Sequence, residues 1–207
     1  MDNLIEGSYR TGKYSGLITG IANAGDATHG HIWACRFASS PGTDLRQVAA
    51  IQRLRVRAFT VAGYTAAQEV QLAVFKLTGY TAAHTGGNAL TVDKKLTGQP
   101  APLMTGRIAN TGELTSGTHT IGTDSIASAS YAELAAAATV QKGAIDILIS
   151  TEDVTQHPFV LQSNEGLLVR SEIVQGAAGT MRLVVEMDWC ELKRYPLASY
   201  GAAKGVV

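Results

Sequence analysis

Few residues of this chain have the type and spacing to do chemistry. His29 and His31 stand two apart, so on a strand they share a face, which can hold a metal ion. His84, His119 and His157 are isolated in sequence, so no third ligand is apparent, and the histidines read as strand-end or loop residues satisfied by hydrogen bonds. Glu186 and Asp188 also share a strand face, as paired catalytic acids do. Arg53, Arg55 and Arg57 form a matching cationic row, and Arg170 is a further cation available to them. The two rows read as cross-strand ion pairs, each contributing about 0.2–1 kcal/mol. No GxSxG turn presents a nucleophile, and Gly7 to Lys13 (GSYRTGK) has neither P-loop spacing nor a preceding strand. Cys35 and Cys190 fall in no CxxC or zinc-like pattern; they read as buried thiols on neighbouring core strands, with a disulfide between them as the alternative. The expectation is no catalytic residue, no metal, no cofactor and no enzymatic activity.

Charge points the same way. Lys plus Arg and Asp plus Glu number 17 each, so nucleic acid and anionic membranes gain no electrostatic hold. The arginine row carries only Phe59 as an interleaved aromatic. Charged residues are 16% of the chain, against roughly 25% in ordinary soluble domains. Ala, Thr, Ser and 22 Gly fill the gap. A surface so poor in charge is weakly protected against association; coverage by partners is one explanation, and a low-charge monomeric domain is the other. Met1-Asp2-Asn3 lacks the basic start of a secretory signal, and no apolar run reaches the ~18–20 residues of a membrane span. A soluble protein made where it folds is expected.

These side chains must be positioned by a β framework. Residues 1–16 show neither helical nor strand periodicity and are expected to form a docking arm through Leu4, Ile5, Tyr9 and Tyr14. Strands are predicted at Leu17–Ala22, His31–Phe37, Gln52–Val61, Glu69–Leu77, Ala144–Ser150, Phe159–Gln162, Gly166–Val174 and Met181–Leu192. The last two are expected to form a hairpin across the Gly-rich 175–179 segment. Short helical turns are expected at Leu45–Ala50 and Ala132–Ala138. Gly79–Gly122, rich in Gly and Thr, reads as a long binding excursion. Trp189 is expected in the core with Leu54, Leu183 and Val185. Residues 17–194 are thus predicted to be one all-β domain, a two-sheet antiparallel β-sandwich of jelly-roll type, and 195–207 a C-terminal tail.

Several segments stand in a suggestive order. Gln52–Arg57 (QRLRVR) follows a loop opening with Phe37-Ala38-Ser39-Ser40, and Thr85–Thr91 (TGGNALT) precedes Lys94-Lys95. Arg107–Thr111 (RIANT) and Gly117–Ile121 (GTHTI) come next, and Phe159–Arg170 (FVLQSNEGLLVR) precedes Met181–Glu191. Over roughly residues 30–192 this set resembles structural proteins of tailed bacteriophages, and among them small capsid decoration (cement) proteins. Gln99–Pro102 (QPAP) is more proline-rich than that pattern. The resemblance implies a β-sandwich subunit, often a homotrimer, on the exterior of the virion head. There it would bind the major capsid protein and bridge capsomers, without cofactor or catalysis, after synthesis in the host cytoplasm. The alternative is a tail or baseplate module recognising host surface glycan. That function wants an exposed aromatic cluster, whereas both tryptophans sit in strands that read as buried.

Overall fold

Alternating apolar and polar residues decide the architecture. In the computed structural model, which describes residues 12–23, 30–39, 48–95, 97–110, 112–135, 144–150, 159–174, 176 and 179–192, the described residues contain strands and no helix. The strands in chain order are β1 (Gly12–Asn23), β2 (His31–Phe37), β3 (Val48–Ala62), β4 (Gln68–Ala82), β5 (Asn88–Ala89), β6 (Thr91–Lys94), β7 (Met104–Ile108), β8 (Thr118–Glu133), β9 (Ala144–Ser150), β10 (Phe159–Gln162), β11 (Glu165–Ser171) and β12 (Thr180–Leu192). The first sheet runs β10-β3-β12-β1-β6, with β9 pairing the stretch of β3 beyond β10. The second runs β5-β7-β2-β11-β4-β8. All pairings are antiparallel, and the two sheets pack face to face as a β-sandwich.

The core lies where the period of two places it. On β12, Met181, Leu183, Val185, Met187 and Trp189 all turn inward and are buried, as are Leu54, Val56 and Ala58 on β3. The second sheet contributes Trp33, Phe37, Leu72, Val74, Leu77 and Val169. One buried carboxylate fastens the sheets together. Glu191 Oε1, at the end of β12, accepts hydrogen bonds from the backbone N–H groups of Leu103 (2.8 Å) and Met104 (3.0 Å) and from Trp189 Nε1 (3.1 Å).

The structure corrects several local expectations. Gly12–Gly16 are not arm but the first stretch of β1, registered against Glu191–Met187 of β12. Tyr14 is only 1% exposed, so it is a core residue and not a docking side chain. Glycine and serine between its apolar positions hid the alternation. The other expected arm residues, Leu4, Ile5 and Tyr9, lie outside the described residues. β11 and β12 are not a hairpin: β11 sits between β2 and β4, whereas β12 sits between β3 and β1 in the other sheet. Turn-forming residues mark a change of direction without saying whether the next strand pairs or crosses the sandwich. Val48–Ala50 begin β3, and Ala132–Glu133 end β8, where helical turns were expected. Residues 40–47 and 136–143 lie outside the described residues. Pairing to a neighbouring strand overrides so weak a prior as helix propensity. The 79–122 excursion holds β5, β6, β7 and the head of β8, adding strands to both sheets. Cys35 and Cys190 are buried free thiols, but on opposite sheets rather than neighbouring strands.

Candidate functional site

The expected charge row exists on the outer face of the first sheet. Register aligns Leu17 of β1, Glu186 of β12, Arg55 of β3 and Leu148 of β9 across four adjacent strands. Glu186 accepts from Arg53 Nη2 at 2.9 Å and from Arg57 Nη2. Asp188 lies 3.9 Å from Arg53. Arg55 donates to both carboxylate oxygens of Asp146, at 2.9 and 2.6 Å. That bidentate contact holds the Asp146 carboxyl below its ordinary value. Arg170 does not join this face. It lies on β11 in the second sheet, where its guanidinium bonds Glu172 and covers the Phe75 ring. Three arginines thus meet three acids, an arrangement that neutralises a surface. Leu17 (59% exposed) and Leu148 (57%) flank the pairs.

A second grouping was not legible in sequence. His31 opens β2, His119 is the second residue of β8, and His84 follows β4 on the loop toward β5. Backbone bonds fix all three. Thr85 and Thr115 exchange N–H to carbonyl bonds of 3.1 Å, and Leu114 N donates to His31 O at 2.8 Å. Gly117 allows the β8 approach to come close: a Cβ there would stand 2.2 Å from the Ala82 carbonyl oxygen. One ring nitrogen from each histidine then lies within 4.8 Å of the other two.

Hydrogen bonding within the cluster is incomplete. His31 Nδ1 and His84 Nε2 are 2.8 Å apart and share one proton. Tyr80 Oη bonds His84 Nδ1 at 2.9 Å. His119 Nδ1 is buried without a hydrogen-bond partner, its ring 4.8 Å from that of His84 and 4.9 Å from that of Tyr80. Burial, then the neighbouring His119 and Arg170, pushes His31 down to about 4. Burial, then His119 and His31, pushes His84 down to about 3. Burial lowers His119 as well and raises the Tyr80 phenol. At neutral pH the site is three neutral imidazoles beside a neutral phenol. Tyr80 and His84 also line an open cleft of about 330 Å³ with Arg36, Thr85 and Arg107.

Sequence reasoning placed His31 beside His29 and left His84 and His119 isolated. The structure brings His84 and His119 to His31, while His29 and His157 lie outside the described residues. The missed signal is positional: His84 and His119 stand near the two ends of one Gly/Thr-rich excursion, in AHTGG and SGTHT. A segment that leaves and returns to the same strands brings its ends together. No protein-family model matches the chain, and no curated protein matches it.

Proposed function

We propose that this chain is a bacteriophage capsid decoration protein. In this reading it is a non-enzymatic, homotrimeric jelly-roll subunit that binds the major capsid protein outside the head shell and bridges capsomers. The observation that carries the reading is the outer face of the first sheet, where internally paired charges are flanked by the exposed Leu17 and Leu148. A face with compensated charge and exposed apolar side chains suits another protein surface better than a polyanion. The ordered resemblance to phage structural proteins and the 16% charged content support it. A trimer repeats a weak contact three times, so avidity substitutes for a large single interface. Preferential binding to the mature lattice stabilises that lattice by mass action.

The glycan-binding alternative is the weaker reading. Trp33 and Trp189 are both 0% exposed, so neither offers a sugar-stacking platform.

The test mixes the purified chain, or a Leu17→Lys/Leu148→Glu variant whose new charges face Glu186 and Arg55, with shells lacking the protein, and sediments them. The wild type is expected to co-sediment. The variant is expected to bind at least about tenfold more weakly, equivalent to about 1.4 kcal/mol, with an unchanged melting temperature. Equal binding by the variant, or none by the wild type, rejects the reading.

A further inference from the structure

The His31–His84–His119 cluster has no part in the surface-binding reading and does not depend on it. It belongs to the second sheet and its loops, away from the charge face on the first. We propose that these three imidazoles bind one divalent transition-metal ion of the zinc class, as a structural staple whose remaining coordination position faces solvent.

The donor set selects the ion. Three imidazole nitrogens without a carboxylate suit zinc, nickel or copper, whereas calcium and magnesium require oxygen donors. The distances are within reach of side-chain rotation. A tetrahedral centre with metal–nitrogen bonds of about 2.0–2.1 Å sets its donors roughly 3.3 Å apart. The His31–His84 pair at 2.8 Å must open by about 0.5 Å. All three nitrogens lie within 4.8 Å of one another, so the widest pair must close by no more than about 1.5 Å to reach 3.3 Å. His31 and His119 are both partly exposed, which leaves a solvent-side entry.

The unmatched hydrogen bonding points to the same ligand. His119 Nδ1 is a buried polar atom that lacks a partner, and a bound cation would supply one. His31 Nδ1 and His84 Nε2 now share a single proton, and a metal would take both lone pairs. Tyr80 Oη on His84 Nδ1 is the outer contact that fixes which nitrogen of a ligating histidine faces the ion. Arg170 is the opposing charge nearest by register, paired with His31 across β2 and β11. Its guanidinium is bonded to Glu172 and stacked 3.9 Å from the Phe75 ring centroid, which draws off much of its field. The consequence is mechanical. One ion would tie the start of β2 to both ends of the 79–122 excursion.

The experiment strips the full-length chain with a chelator and titrates it with zinc against a chromogenic chelator, then repeats the titration with cobalt(II). The expected result is one saturable equivalent per chain, a raised melting temperature, and visible cobalt bands of a low-coordinate nitrogen site. His119→Ala, at a partly exposed position, is expected to lose at least about 100-fold in affinity, and Tyr80→Phe about tenfold. Absence of stoichiometric zinc binding by the folded wild-type chain overturns the proposal, whether or not the variants fold. So does undiminished binding by a folded His119→Ala chain.

Discussion

Tyr14 stacks on Trp189, the ring centroids 5.5 Å apart and the planes 28° from parallel. The contact joins β1 to β12 at directly opposed positions, and the Tyr14 hydroxyl donates to Pro100 O at 3.0 Å. Gly12–Gly16 therefore contribute to the core through Tyr14. Tyr14→Ala is expected to cost about 3–5 kcal/mol and lower the melting temperature by roughly 10 °C. Urea denaturation measures this. A midpoint unchanged from the parent would return Tyr14 to a peripheral arm.

Glu191 Oε1 is the shared acceptor for two backbone N–H groups and an indole. Glu191→Ala leaves these donors buried without it. A loss of about 3–5 kcal/mol is expected, since each orphaned donor costs roughly 1–3 kcal/mol. Glu191→Gln retains a carbonyl acceptor and is expected to lose less than half as much. Equal destabilisation by both variants would assign the effect to something other than the hydrogen bonds.

The sheet strands with strong alternation were legible in sequence. Arg53, Arg55 and Arg57 against Leu54, Val56 and Ala58 disclosed β3, and the apolar row from Met181 to Trp189 disclosed β12. The meeting of Arg53 and Arg57 with Glu186 followed from those faces. β8 was not legible at all, because Thr118–Glu133 is rich in Thr, Ser, Gly and Ala and lies at a sheet edge, where one face has little to bury. The path from β11 to β12 was misread because a hairpin and a crossover use the same turn residues. The histidine cluster was invisible for a different reason. Its members are 53 and 35 residues apart, from 31 to 84 and from 84 to 119, and only the return of the excursion unites them.

Complete burial pushes the Cys35 thiol up to about 12. In native protein at pH 8 it is expected to resist a thiol-specific disulfide reagent and to react only at the rate of unfolding. The sign of the pH effect follows. The raised folded value means that the stabilisation is fully present below the unfolded value near 9 and is lost as pH rises from there toward 12. Within that window the unfolded chain binds fewer protons, so this thiol contributes a fall of about 1.4 kcal/mol per pH unit. Urea midpoints of wild type and Cys35→Ala, followed from pH 8.5 to 11, isolate the effect. Parallel curves would contradict it.

The number of copies in a purified particle tests the proposed role most directly. On the proposed reading the chain is a virion component, so particles purified from its source are dissociated and the chain is quantified by mass spectrometry against the shell subunit. A decoration protein seated as trimers between capsomers is present in hundreds of copies, in a fixed ratio to the shell subunit. A handful of copies per particle would place the chain on the tail instead, and its absence from virions would contradict a structural role altogether.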